Sequence, residues 1–305
     1  MNEILLDMLK EVFENNNLNR LPEKYGGGKI FSQPLIGVAR GDDPIFFKFK
    51  ETVGPEHLTP LEMWLASGQK QLPISSLYIL SIIFPFVDKI RNEGNIPITL
   101  PKIILPAEIY SVARNFAKDF RNYIMRETLN FFQTQGYIAI SGKLSDAYTL
   151  IAKKEFYSTW SENHIAFATG LGTFGLHEGI ITEVGSNVRL ASLITNAPLQ
   201  VTPRKSDEPY ANCLYFAKAT CRECAKKCPA NAITEKGYDK TKCNKYRNRV
   251  AREMVPRLKS ILKSYSRRVN WKYKAHNFPV GCELCQFGVQ CTDKNPLASH
   301  YMDWY

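Results

Sequence analysis

The sequence predicts an α+β fold in two parts, and three observations carry that expectation. Strand-like and helical apolar patterns are mixed in the region before Cys213, as in an α/β or α+β domain. All eight cysteines fall between Cys213 and Cys291. The 305 residues, 44% apolar and 23% charged, suit an ordinary soluble globule of one large or two moderate domains. The division is expected near residue 205, with one domain over 1–205 and a second over 206–305.

Residues 3–15 carry Ile4, Leu5, Met8, Leu9, Val12 and Phe13 on one side of a helix. Gly26, Gly27 and Gly28 mark a loop, and Pro34 to Val38 reads as a short strand. The longest apolar stretch, Leu77 to Val87, is too short to cross a bilayer, so no membrane span is expected; it reads as a buried strand ending at Pro85. Ile103 to Leu105 is another strand. Residues 108–134 have helical periodicity through Tyr110, Phe116, Phe120, Ile124 and Leu129. Tyr137 to Ile140 and Arg189 to Thr195 read as buried strands, and Glu162 to Ala168 as helical. Gly170-Leu171-Gly172-Thr173-Phe174-Gly175 fits G-x-G-x-x-G, but a dinucleotide site needs a strand before it and an acid about 20 residues later. A helical pattern precedes it and Leu190 stands at that distance. The glycines read instead as a tight turn or as close backbone approach to something flat and bulky.

The cysteine spacing is Cys213-x7-Cys221-x2-Cys224-x3-Cys228-Pro229, then Cys243, then Cys282-x2-Cys285-x5-Cys291. Disulfides suit short secreted chains, and the opening Met1 to Asp7 carries acids where a signal peptide is basic. Two zinc knuckles at Cys221/Cys224 and Cys282/Cys285 would leave other cysteines idle, and their separation far exceeds the roughly 15–20 residues of zinc ribbons. Radical S-adenosylmethionine enzymes show the opposite gap order. Eight thiolates are what two [4Fe–4S] clusters need, and Cys-x2-Cys-x3-Cys-Pro is the core of the bacterial ferredoxin pattern, whose last cysteine serves the other cluster. That crossover assigns Cys213, Cys221, Cys224 and Cys291 to one cluster and Cys228, Cys243, Cys282 and Cys285 to the other.

The net charge of +11 is concentrated. Between Lys240 and Lys274 stand thirteen Lys or Arg against the single acid Glu253. Val250, Met254, Leu258, Ile261, Leu262, Tyr265 and Val269 recur there at helical spacing, so a basic helical insertion is expected over about 244–275, with Pro256 breaking or starting a helix. Its basic face reads as a solvated surface, an RNA phosphate contact, or a dock for an acidic electron donor such as reduced ferredoxin or flavodoxin. Tyr246, Tyr265, Trp271 and Tyr273 are interleaved with the cations.

In order along the chain, Trp160-Ser161-x-x-His164, Ala168 through Gly175, Ile180-Ile181-Thr182-Glu183, Val188 through Thr195 and then the cysteines resemble the tRNA epoxyqueuosine reductases and the corrinoid reductive dehalogenases. The likeness is nearest to short epoxyqueuosine reductase-like iron–sulfur proteins of anaerobes. It covers roughly residues 30–300. The resemblance implies a nitroreductase-like cobalamin-binding domain followed by a two-cluster ferredoxin-like domain, with electrons passing through the clusters to a corrinoid that reduces a substrate. Epoxyqueuosine reduction in tRNA is the narrower version. An electron-transfer protein without cobalamin is the alternative from another class.

The resemblance also implies residue roles. Gly170, Gly172, Thr173, Phe174 and Gly175 would contact the corrin or its nucleotide tail, and Arg189 matches the arginine of the following strand, with a structural ion pair as its other reading. Asp119, beside Phe120, is nearest to the family's general acid, with Tyr110 and His164 as further candidates; a surface carboxylate and a core histidine are the other readings. The chain shows no twin-arginine leader, its one Arg-Arg pair being Arg267-Arg268, and no long extension beyond Cys291, so a cytoplasmic location is expected.

Overall fold

The computed structural model describes residues 1–153 and 156–298. Helix α1 (Asn2–Asn15) buries Leu5, Leu9 and Phe13, as its apolar spacing predicts. Strand β1 (Leu35–Arg40) leads to α2 (Ile45–Thr52) and α3 (Pro60–Ala66). α3 starts where Thr59 and Glu62 form a reciprocal capping box with Pro60 in the first turn. β2 (Tyr78–Pro85) is buried along nearly its whole length and ends at the expected proline. Helix α4 (Asp88–Gly94) and the hairpin β3 (Ile98–Leu100)–β4 (Ile103–Leu105) precede the 27-residue helix α5 (Glu108–Thr134), which stops just before Gly136, whose φ is +81°. Then come β5 (Ala139–Ile140), the hairpin β6 (Leu150–Ala152)–β7 (Phe156–Ser158), α6 (Glu162–Ala168), the hairpin β8 (Gly172–Phe174)–β9 (Ile180–Thr182), and β10 (Val188–Thr195).

The main sheet has the order β1-β2-β10-β5, and all its neighbours are antiparallel. Side chains alternate across β2: Leu80, Ile82 and Phe84 join the core beneath α1 and α5, while Ile79 and Ile83 join cores beneath α6 on the opposite face. Both faces are covered, which is why this strand reads as a continuous apolar run. The chain is thus a mixed α/β fold whose main sheet is antiparallel. Phe13, Phe31, Phe84 and Phe120 stack between sheet and helices, with centroids 4.9–6.2 Å apart.

The cysteine-bearing part contributes short elements: α7 (Leu214–Lys218), α8 (Glu223–Lys226) and the hairpin β11 (Ile233–Thr234)–β12 (Gly237–Tyr238). Next comes α9 (Lys240–Leu258), and then β13 (Tyr265–Val269) and β14 (Lys272–Asn277). This corrects the expected basic helical insertion over about 244–275. Its first half is helical, with Val250, Met254 and Leu258 buried, and Pro256 lies inside the last turn of α9 without ending it there. Its second half is a hairpin, because Asn270 and Trp271 take left-handed φ values of +46° and +65°, as a two-residue turn requires. Tyr265 and Val269 fitted the helical spacing by coincidence of register. Val269 also pairs with Leu150, joining this hairpin to β6.

The core does not stop at residue 205. Tyr246, Val250, Met254, Leu258, Val280 and Phe287 share one apolar cluster with α1, β2 and α5. Tyr246 exchanges hydrogen bonds with the backbone of Ile104, and Asn115 brackets Lys263 with two more. Phe84→Ala, in the centre of this packing, is expected to cost about 3–5 kcal/mol, read as a lowered unfolding midpoint; an unchanged midpoint counts against this core assignment.

Candidate functional site

The eight cysteines fold into two groups. Cys213, Cys221, Cys224 and Cys291 line one small pocket with Leu176, His177 and Val289. Cys228, Cys243, Cys282 and Cys285 line a second cavity of about 380 Å³, together with His164, His177, Tyr238 and Glu283. Burial, reinforced by the neighbouring thiols of the same group, pushes Cys224 and Cys291 up to about 12, and Cys282 to about 12. Cys285 is raised well above its ordinary value for the same reasons. Four crowded thiols cannot all ionise unless a cationic body sits among them. Among the described residues no group of three His, Cys, Asp or Glu is placed to hold a single metal ion, and each cysteine group offers four sulfur donors. That donor set fits a four-iron cage held by four thiolates.

A larger cavity of about 590 Å³ adjoins the second; the two share Arg114, Leu150, Phe156, Arg247 and Gly281 as lining residues. α5 supplies Arg114, Lys118 and Arg121 to its wall, β10 supplies Arg189, and the α9–β13 region supplies Arg247, Arg267 and Arg268. Lys143 completes it from the loop after β5.

A partly buried ion triad joins the cavity floor to the core. Glu283 lies between two cysteines of the second quartet in a left-handed conformation, φ +52°. Its Oε1 accepts hydrogen bonds from Arg114 Nη1 and Arg189 Nη2, each at 2.6 Å. The same two arginines donate to the Tyr110 hydroxyl at 3.1 and 2.6 Å. Burial opposes the Glu283 charge, but Arg189 and Arg114 overcome it and hold the carboxyl at about 2. Gly281, φ +72°, lets the loop reach this triad: a Cβ there would stand 2.6 Å from Arg114 Cδ and 2.9 Å from the Tyr110 oxygen.

His177 stands between the quartets. Its Nδ1 accepts the Gly179 N–H at 2.9 Å, so in the neutral ring Nε2 carries the hydrogen, and it points at Cys291 Sγ 3.6 Å away. Burial drives His177 down to about 4, which keeps it neutral. The ring explains two glycines, since a Cβ on Gly175 would lie 2.9 Å from Nε2 and one on Gly179 2.8 Å from Nδ1.

The residues singled out from sequence are dispersed. Asp119 pairs with Lys263 at 2.7 Å and does not line either joined cavity. Tyr110 is buried beneath the cavity, committed to the arginine pair, and its burial raises its pKa. His164 lines the smaller cavity, packed against Phe49 and Phe174 and bonded to Ser161 Oγ at 2.8 Å; burial lowers it to about 3, so it does not donate protons near neutrality. Arg189 lines the larger cavity and serves the triad. Of the residues expected to contact a corrin or its nucleotide tail, Gly170–Gly175, none lines these two cavities. Gly170, Gly172 and Thr173 border a separate pocket of about 270 Å³, Phe174 is core, and Gly175 borders the first quartet. The motif serves close backbone approach, with a Cβ on Gly172 only 2.4 Å from the Ile181 oxygen. Sequence reasoning missed His177, Glu283, Arg114, Arg121 and Lys143. Glu283 alone left a signal, a charge inside a Cys-x2-Cys loop.

No protein-family profile matches the chain. A curated epoxyqueuosine reductase from Leadbetterella byssophila is 30% identical over 118 residues, 38% of this chain and 32% of that protein, so the chain spans about a third of the relative's length. The resemblance to the epoxyqueuosine reductases drawn from the motifs is borne out by this relative. Among solved structures, the epoxyqueuosine reductase from Streptococcus thermophilus is similar at TM-score 0.46 and 15% identity, covering 97% of this chain and 69% of that one. A catabolic reductive dehalogenase is similar at TM-score 0.45 and 17% identity, covering 70% of this chain and 27% of that one.

Glu283→Gln leaves two buried guanidinium groups without their carboxylate and is expected to destabilise the reconstituted protein by about 3 kcal/mol at neutral pH. Because the folded-state pKa is lowered from 4.5 to about 2, the gap between wild type and variant is full above about pH 4.5 and closes as pH falls toward 2. Thermal unfolding across that range checks both statements.

Proposed function

We propose that this protein is a reductase that passes electrons through two [4Fe–4S] clusters to a corrinoid, which reduces a substrate in the joined cavities. The observation that carries the reading is the pairing of two cysteine quartets, one of which forms part of the lining of those cavities. The likeness to an epoxyqueuosine reductase supports the reductase class. We propose a nitroreductase-like core for the region upstream of the cysteines. A bound corrinoid would supply a strongly reducing metal centre, and the clusters its electrons.

The chain's own residues hold, tune and protonate. Cys228, Cys243, Cys282 and Cys285 would hold the cluster nearer the cavity, and the Glu283 triad fixes the Cys282–Cys285 loop against α5 and β10. The other four cysteines would hold the outer cluster, with His177 Nε2–H donating to Cys291 Sγ. Reductive cleavage needs a proton, and Lys143 on the cavity wall is suited to it: burial, with Arg121 next in weight, brings its ammonium down to about 7. Reduced ferredoxin or flavodoxin is the proposed electron donor.

A second reading, epoxyqueuosine reduction in tRNA, is favoured by the hairpin β13–β14, where Trp271 and Tyr273 are 55% and 67% exposed among basic residues. It requires tRNA binding that weakens steeply with salt, and fails if no binding occurs at low salt.

Anaerobic reconstitution is expected to yield about eight irons per chain. Cys221→Ser and Cys228→Ser should each abolish a different cluster signal in electron paramagnetic resonance. Added cobalamin should change its visible spectrum on binding; clusters without any corrinoid binding would reduce the protein to an electron relay. His177→Phe removes an N–H···S bond that favours the more negative reduced state, so one cluster should move to a lower midpoint potential while the other stays. A redox titration reads this, and His177→Gln, which keeps a donor, should restore part of the shift.

A further inference from the structure

The larger cavity carries more positive charge than its own acids neutralise. Glu283 takes Arg114 and Arg189, and Asp146 takes Arg268 at 2.8 Å. Lys118, Arg121, Lys143, Arg247 and Arg267 also line the cavity, and among the described residues none of them has a carboxylate within ion-pair distance. Arg121 spends one Nη on the Leu190 carbonyl and leaves its buried Nε without a partner. Glu162 lies behind this wall; its carboxylate is buried, has no hydrogen-bond partner, and offsets only part of the charge felt by Arg121 and Lys143. Arg267 stands at the exposed mouth, and Asn122, Ser145 and Tyr148 add neutral donors to the same lining.

Cations gathered in a partly buried cavity repel one another unless an anion joins them. Guanidinium forks and an ammonium are the groups that recognise phosphate. The volume, about 590 Å³, suits a small organic molecule.

We propose that Arg121 and Lys143 on the wall of this cavity, with Arg267 at its mouth, form an anion subsite that receives the phosphate group of a small-molecule substrate. The assignment rests on the reductase reading and names the substrate class for that same site. It also links binding to chemistry, because an oxyanion beside Lys143 keeps the ammonium charged until the proton is needed.

The test uses the full chain, reconstituted anaerobically, with inorganic phosphate as probe at constant ionic strength. An amine-acetylating reagent followed by mass spectrometry reports each lysine separately. Saturating phosphate is expected to slow acetylation of Lys143 about tenfold while leaving exposed Lys10 unchanged, and Arg267→Gln should weaken that protection about tenfold. Arg121→Gln should do the same, with cluster content as its folding control. Equal protection by chloride, or none by phosphate, overturns the proposal. Two further arms identify the source of the anion. If cobalamin blocks phosphate but cobinamide, which lacks the nucleotide phosphate, does not, the subsite belongs to the corrinoid and the substrate assignment is overturned. If an RNA stem-loop protects Lys143 at far lower phosphate equivalents than inorganic phosphate, the small-molecule assignment is likewise overturned. Phosphate protection that persists beside bound cobalamin supports it. A chain that binds phosphate and no corrinoid retains the subsite while losing the reductase reading, so the two failures are distinguishable.

Discussion

One carboxylate shared by two guanidinium groups governs this structure. Glu283 is desolvated, and so are Arg114 and Arg189, so none of the three is tolerable without the others. The triad fastens the Cys282–Cys285 loop to the longest helix and to a central strand at once. Everything nearby follows its geometry: Gly281 has no side chain so that the loop can approach, Tyr110 is buried to share the same donors, and Phe287 packs edge-on against that tyrosine at 5.0 Å. Charge satisfaction and apolar packing therefore hold the Cys282–Cys285 loop together, and the loop in turn closes the floor of the cavity.

Much of the fold was legible because its signals were local. β2 is buried on both faces, so its sequence is continuously apolar; α5 is long and one-sided, so its period shows. The grouping of the cysteines was legible for a different reason: the crossover spacing sorts them into the same two sets of four that the fold brings together. The hairpin β13–β14 was misread because Tyr265 and Val269 lie four apart, a spacing that suits one helical face and equally one strand face. The cavity was not legible at all. Its cations come from α5, the loop after β5, β10, α9 and β13, and no local pattern announces that five distant segments will meet.

The glycine motif illustrates how one pattern serves several physical ends. Gly172 admits the Ile181 carbonyl, Gly170 admits the Pro203 carbonyl, and Gly175 admits the His177 ring. Steric permission is what glycine encodes, and only the surrounding fold says what is being admitted.

The two quartets are interleaved along the chain: each draws ligands from the region 213–243 and each is completed only by residues of 282–291. During synthesis on a ribosome, neither quartet can therefore close until nearly all the described residues have been made. The sheet, the long helix and their aromatic centre emerge first, and assembly of the cysteine quartets becomes the closing act of the polypeptide's birth.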